Sequence, residues 1–218
     1  MTTTGLPAPT RRAASVVAAT CAAVGVVLGT AIVVGWSPML RLDAAIEDAV
    51  HGWAVRTPWA VDVSRVLDRM GLFPIAFVVA AATVLLLLAL RRWRAAAAVA
   101  VVAALAPWLT DRIKLVVERA RPAWQDPLGS EPTYSYPSGH ATAGIAVYAV
   151  CGVALGALLR DRRWAWAVVV ALGVVGIAIG LSRVVLGVHW PSDVVGGWCV
   201  ATAVGAAVGA ALVLRRDP

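Results

Sequence analysis

The chain has 218 residues, of which 61% are hydrophobic and 14% charged, with a formal net charge of +7. Both fractions lie well off the soluble average, and so little polar surface could not cover the core of a soluble domain; a bilayer suits this chain better as solvent. In a soluble protein the positive charge would suggest a nucleic-acid partner, but its distribution along the chain gives a better explanation, and no nucleic acid is expected.

Six stretches are long and uncharged enough to span, or nearly span, a hydrocarbon core that needs about 20 residues of helix. They are 13–36, 72–90, 95–110, 141–159, 164–182 and 194–214. The first is too long for a signal-peptide core, and no clear small-x-small cleavage site follows it before Pro38, so it is read as a retained span. Residues 38–70 then change character. Leu42, Ile46, Ala49, Val50 and Trp53 recur at helical spacing, with Asp43, Glu47 and Asp48 on the other face. A second stripe, Val63, Val66, Leu67 and Met70, follows Thr57-Pro58, an N-cap and first helical position. Two amphipathic helices on the outer membrane surface are expected, a scaffold over the bundle with some gating of lipid access. The third span carries Pro107, and its helix is expected to continue to about Val117. That extension brings Asp111, Arg112 and Lys114 near the membrane edge, where ionisable groups face protein or a wet cavity. The expected fold class is all-α: a polytopic membrane protein in which residues 1–218 form one six-transmembrane-helix bundle.

If the six spans alternate, Arg11, Arg12, Arg91, Arg92, Arg94, Arg160, Arg162, Arg163, Arg215 and Arg216 share one side with only Asp161 and Asp217. The other side is nearly neutral. The positive-inside rule then puts both termini in the cytoplasm of a plasma-membrane protein. Cys21, Cys151 and Cys199 sit in apolar runs without zinc-ligand spacing and read as small buried hydrophobes. Four glycine pairs at i, i+4 lie in the spans: Gly25/Gly29, Gly152/Gly156, Gly176/Gly180 and Gly205/Gly209. Such pairs let helix backbones approach. Packing within one bundle is the favoured use, and a homodimer the second.

Three motifs fall in the hydrophilic gaps, all on the extracytoplasmic side of this layout: Lys114-x6-Arg121-Pro122, Pro137-Ser138-Gly139-His140, and Ser182-Arg183-x5-His189-x3-Asp193. They hold the only lysine and two of the three histidines. Breaking a phosphomonoester or pyrophosphate without a metal asks for cations around the nonbridging oxygens, an in-line nucleophile and an acid for the leaving oxygen. Lys114, Arg121 and Arg183 supply the cations, arginine as a planar fork and lysine as a point charge. Ser138 and the Gly139 N–H add neutral donors where the fourth span starts, so the positive end of that helix faces the anion. His189 and Asp193 stand four residues apart, so the carboxylate can reach the second ring nitrogen and fix the tautomer. His189 is therefore the expected nucleophile, and His140 the acid that serves the leaving group and later the base for water. No metal and no cofactor is expected. His51 reads as structural, and Trp124, Tyr134, Tyr136 and Trp190 as interfacial anchors.

Together, in this order and between apolar runs, the motifs resemble the type 2 phosphatidic acid phosphatase superfamily. That group includes lipid phosphatases, undecaprenyl-pyrophosphate phosphatases, bacterial acid phosphatases and vanadium haloperoxidases. The resemblance covers residues 114–193 directly. It implies a lipid phosphatase acting on undecaprenyl pyrophosphate, phosphatidylglycerol phosphate or phosphatidic acid. It also implies that the third-motif histidine, His189, is the nucleophile and that His140 assists the leaving group. Two other readings remain. The haloperoxidase relatives are soluble, which six spans oppose. A transporter or silent lipid-binding scaffold has no need of the His189/Asp193 pair with His140 opposite.

Overall fold

A backbone in hydrocarbon must satisfy its own N–H and C=O groups, and a helix does so within one segment. A computed structural model describes residues 10–125 and 127–213. Arg215, Arg216 and Asp217 of the charge pattern, and the end of the stretch 194–214, lie outside them. Among the described residues the helices are α1 (Arg11–Val33), α2 (Ser37–Ala54), α3 (Pro58–Gly71), α4 (Phe73–Ala89), α5 (Trp93–Val117), α6 (Gly139–Ala143), α7 (Val150–Gly156), α8 (Arg162–Val185) and α9 (Pro191–Leu212). A π-helical stretch, Gly144–Ala149, joins α6 to α7, so that Gly139–Gly156 runs on as one span of 18 residues.

Five helical segments, α1, α5, Gly139–Gly156, α8 and α9, are long and apolar enough to cross a membrane. A sixth arises if α3 and α4, which meet at 56°, count as one bent span. The 17 residues of α4 carry no charge, and at 1.5 Å per residue they measure about 26 Å, close to a hydrocarbon thickness. The chain is a multi-pass membrane protein with the expected all-α architecture. As anticipated, α5 runs through Pro107 to Val117.

Polar side chains start several helices. Thr10 Oγ1 accepts from Ala13 N at 3.1 Å at the head of α1, and Asp161 Oδ1 accepts from Arg163 N at 2.8 Å at the head of α8. Thr57 stands at the N-cap position of α3 with Pro58 behind it, but its hydroxyl donates back to Trp53 O at 2.8 Å and caps nothing.

Hydrocarbon offers no hydrophobic drive between helices, so close backbone approach holds them together. Gly144 and Gly176 meet backbone to backbone, and a Cβ on Gly176 would lie 2.5 Å from Gly144 O. This contact joins the His140 helix to the Arg183 helix. Gly180 makes room for the Trp198 indole, and Gly25 and Gly29 lie against Cys199 and Tyr136. These glycines serve packing within one bundle. Leu87, Val99, Val147, Cys151 and Ile179 form the main buried cluster, and Val102, Ala106, Ala146, Ala201 and Val204 a second. Cys21 and Cys199 are only half-buried, against the expectation that all three thiols would be enclosed.

α2 is turned inside out relative to a soluble amphipathic helix. Asp43, Glu47 and His51 are buried, while Leu42, Ile46 and Trp53 face outward. The acidic row thus packs onto the bundle and the apolar stripe faces away from it. In α3 the expected stripe divides: Val63 and Val66 face out, and Leu67 and Met70 pack against the main cluster.

Candidate active site

Five segments converge at one end of the bundle: the last turn of α5 with Lys114, the following loop with Arg121, the head of α6 with Ser138, Gly139 and His140, the last turn of α8 with Arg183, and the turn into α9 with His189 and Asp193. Gly187 makes the last turn. Its φ is +70, a conformation that residues with a Cβ rarely adopt, and a Cβ there would also lie 2.8 Å from Trp124 Nε1. Trp190 and Pro191 then open α9, and Asp193 Oδ2 accepts from Trp190 N at 2.9 Å, one half of a capping box.

The same Asp193 oxygen lies 3.4 Å from His189 Nδ1 and accepts from the Ser135 hydroxyl. On the other side of the ring, His189 Nε2 lies 2.9 Å from Arg121 Nη1. A guanidinium only donates, so Nε2 carries the lone pair and Nδ1 the proton that faces Asp193. Burial pushes the His189 imidazole down, to about 3, against the opposite pull of Asp193. The ring is therefore neutral at neutral pH, with its Nε2 lone pair turned to Arg121.

The motif cations are held in two ways. Arg121 donates to Thr133 O at 2.6 Å, Val188 O at 2.7 Å and Tyr134 O at 3.2 Å, and Lys114 also donates to Tyr134 O. Arg183 is held by carboxylates, donating to Glu131 Oε1 at 2.6 Å and pairing with Asp68. Asp68 Oδ1 is in turn 3.2 Å from His140 Nε2. Ser138 is fully buried. Its N donates to Asp193 O at 2.9 Å, and its Oγ accepts from Ala141 N at 3.4 Å, capping its own helix. A Cβ on Gly139 would meet nothing within 4 Å, so that residue borders open space. All eight residues singled out by the motifs lie at this end of the bundle: Lys114, Arg121, His189, Asp193 and Ser138 are joined through hydrogen bonds, Arg183 and His140 meet through Asp68, and Gly139 stands between Ser138 and His140. Arg121 binds backbone carbonyls and His189.

Several members lie outside the motifs. Arg119 is the most connected. Its Nη1 donates to Asp193 Oδ1 at 2.6 Å and to Ser192 Oγ at 2.7 Å, and its Nη2 donates to Asp43 Oδ2 at 2.7 Å. The Trp190 ring lies against it, 5.4 Å from centroid to guanidinium carbon. Ser135, Asp43, Asp68 and Glu131 were also missed. The aromatics need correction as well. Tyr136 is buried and donates to Gly25 O at 2.6 Å; Trp124 stacks on His51 at 3.9 Å and donates to Gly187 O; Trp190 donates to Ala120 O. These three brace the site, and only Tyr134 is exposed as an interfacial anchor would be.

Among the described residues, Asp68, Glu131 and His140 offer three ligand atoms within 4.8 Å of one another. The Arg183 guanidinium already lies against both carboxylates, so the positive charge they face is a side chain of the chain itself.

Glu47 is completely buried beside this network, and neither of its oxygens finds a partner. Burial, reinforced by Asp193, Asp48 and Asp43, pushes its carboxyl from 4.5 up to about 8. Between those values the folded chain keeps a proton that the unfolded chain releases, so stability falls as pH rises through the window and levels off above it. Glu47→Gln should therefore raise the unfolding temperature in detergent at pH 8 and give no such gain at pH 4.5. An equal change at both pH values would show that Glu47 does not titrate in this range.

An all-helical membrane bundle with a neutral histidine backed by a carboxylate and ringed by cations has the parts of a phosphoryl-transfer enzyme. Residues 95–216 match the model of the PAP2 superfamily. The phosphatidylglycerophosphatase B of Bacillus subtilis is 30% identical over 164 residues, 72% of this chain and 76% of that protein. The decaprenylphosphoryl-5-phosphoribose phosphatase of Mycobacterium tuberculosis is 34% identical over 176 residues, 78% of this chain and 88% of that protein. The crystal structure of a transmembrane PAP2-type phosphatidylglycerolphosphate phosphatase from Bacillus subtilis superposes with a TM-score of 0.75 at 26% identity, covering 88% of this chain and 93% of that one. The chain belongs to the PAP2 superfamily and is a phosphoric ester hydrolase.

Proposed function

We propose that the chain is a metal-independent lipid phosphatase that removes a phosphate or pyrophosphate head group on the extracytoplasmic side through a phosphohistidine. The observation that carries this reading is His189, with Nε2 free of a proton beside Arg121 and Nδ1 turned to Asp193. Nε2 attacks phosphorus, the bond to the leaving oxygen breaks with its electron pair staying on that oxygen, and protonated His140 gives the oxygen a proton. Neutral His140 then removes a proton from water as the water oxygen attacks phosphorus. The P–N bond breaks, and its electron pair returns to Nε2. Lys114, Arg121 and Arg183 neutralise the nonbridging oxygens throughout, with Ser138 and the Gly139 N–H as neutral donors.

The named relatives act on a phosphatidylglycerophosphate and on a decaprenylphosphoryl sugar phosphate, and both classes of lipid fit this head-group chemistry. A groove of about 510 Å³ opens beside the site, lined by Ile32, Leu40 and Val117 together with Glu118, Arg119 and Trp190, and its apolar wall suits a lipid tail. The test is phosphate release by the purified protein, with chelator present, from phosphatidic acid, phosphatidylglycerol phosphate, undecaprenyl pyrophosphate and a decaprenylphosphoryl sugar phosphate. Release from at least one, with orthovanadate inhibiting, is expected. Strict dependence on added magnesium would overturn the mechanism.

The orientation has its own test. With Cys21, Cys151 and Cys199 replaced, Ser130→Cys should react with an impermeant thiol reagent from outside intact cells, and Arg162→Cys only after lysis. Labelling of both from the same side would sink the six-span layout with cytoplasmic termini.

A further inference from the structure

The last turn of α3 reaches the site from outside the three motifs and outside the residues that match the family model. Three contacts fix it there. Tyr148, on the helix that His140 begins, donates its hydroxyl to Met70 O at 2.7 Å. Gly71 lies so close to the imidazole that a Cβ on it would be 2.5 Å from His140 Cδ2 and 2.8 Å from Ile179 Cγ2. Asp68 Oδ1 lies 3.2 Å from His140 Nε2 and pairs with Arg183. A turn pinned to the His140 helix by a hydrogen bond and by van der Waals contact is part of the site's wall, which separates it from a mobile gate.

The charges explain why a carboxylate belongs there. Arg183 (α8) shares Asp68 with His140, and Lys114 (α5) and Arg121 (the loop) bring like charge to the same end of the bundle, which disfavours a positive charge on the ring. A general acid in that position needs an anion to hold its proton. Glu131 lies within 4.8 Å, but Asp68 is the carboxylate in contact with the ring. Asp68 Oδ1 and His140 Nε2 are both buried, and neither makes an aligned hydrogen bond. Catalytic hydrogen bonds are commonly long or misaligned until substrate binds.

We infer that Asp68 is a positioning residue for His140. Its carboxylate orients the imidazole and holds the proton destined for the leaving oxygen, and Gly71 leaves the space in which the ring sits. When a substrate phosphate takes over Arg183, Asp68 is left to the imidazole alone. This rests on the assignment of His140 as the acid under Proposed function. The two histidines are thereby supported differently: Asp193 backs a neutral ring that must give a lone pair, and Asp68 backs a ring that must give a proton.

The experiment compares the full-length wild type with Asp68→Asn, Asp68→Glu, Gly71→Ala and His140→Ala. The substrates are phosphatidic acid, with a poor alkoxide leaving group, and para-nitrophenyl phosphate, with a good one. General acid help is worth about 100- to 10,000-fold, so Asp68→Asn, acting through His140, should lower kcat on phosphatidic acid by roughly 10- to 100-fold. KM should not rise, and the burst of para-nitrophenolate that accompanies phosphoenzyme formation should keep its wild-type rate, since that leaving group needs little protonation. Asp68→Glu should recover most of the loss. Gly71→Ala, which pushes the ring, should show the same preference for the good leaving group. An equal loss in the rate of phosphoenzyme formation from both substrates would make Asp68 merely structural. A gain in activity would make it a stand-in for phosphate that blocks the cradle. Wild-type behaviour of Asp68→Asn beside a leaving-group-selective His140→Ala would overturn this inference and spare the acid assignment. A His140→Ala variant without leaving-group dependence would remove that assignment and this inference with it.

Discussion

His189→Ala should abolish phosphate release from every substrate and leave no phosphoenzyme. An activated nucleophile working with its partners as a unit is worth on the order of 10^6-fold in kcat, or about 8 kcal/mol of barrier. No other group in the network can replace it: Ser135 is committed to Asp193, and Ser138 caps its own helix. The variant should still fold, since the ring's strongest geometric contact is the one with Arg121, which keeps three carbonyl acceptors without it. His140→Ala should behave differently. It should lose most on a lipid alkoxide and least on para-nitrophenolate, where a phosphoenzyme should accumulate after rapid quenching into base. Asp193→Asn should fall between the two, because the ring remains but its tautomer and charge support are lost. If His140→Ala trapped no phosphoenzyme and lost the same factor on both substrates, the two histidines would be acting as one unit and their separate roles would be wrong.

The membrane helices were legible because hydrocarbon imposes one requirement on every residue of a span, so uncharged runs mark them directly. That requirement outweighed Pro107, as the reading of α5 through to Val117 allowed. The convergence of the motifs was legible for a related reason: each lies at a helix end, and alternating spans bring those ends to one face. Residues recruited by tertiary packing were not legible. Arg119 and Arg112 look alike in sequence, yet one is buried and the other exposed; the same holds for Asp43 and Asp48. The row Asp43, Glu47 and His51 did carry a usable signal. In a membrane protein an apolar stripe can be satisfied by lipid, so the polar face of the same helix is the one that needs protein. The expectation of a helix lying on the membrane surface, with Asp43, Glu47 and Asp48 opposite its apolar stripe, did not assign that polar face to the bundle. Asp68 had no comparable signal, since its neighbours Asp62, Arg65 and Arg69 make α3 an ordinary charged surface helix until its last turn meets His140.

Arg119→Leu should be the most damaging substitution outside the motifs, for stability and activity together. One guanidinium bridges two carboxylates that are almost wholly buried, Asp43 from α2 and Asp193 from α9. Removing one member of such a cluster leaves charge without a partner in a medium that cannot solvate it, at about 3–5 kcal/mol. Unfolding in detergent should therefore move to markedly lower temperature. Turnover should fall as well, because the carboxylate that orients His189 loses one of its anchors. Arg119→Lys separates the two effects. A lysine restores the charge but offers a point where a fork is needed, and it cannot donate to Asp43, Ser192 and Asp193 together. It should regain part of the stability and little of the activity. A double substitution gives the sharper test. Asp43→Asn removes one of the two charges stranded by Arg119→Leu, so the pair should be less destabilised than the sum of the single changes by a coupling energy of about 0.5–3 kcal/mol. Simple additivity would mean that Arg119 holds α2 and α9 together by packing alone, and that the charge on Asp43 plays no part in joining them.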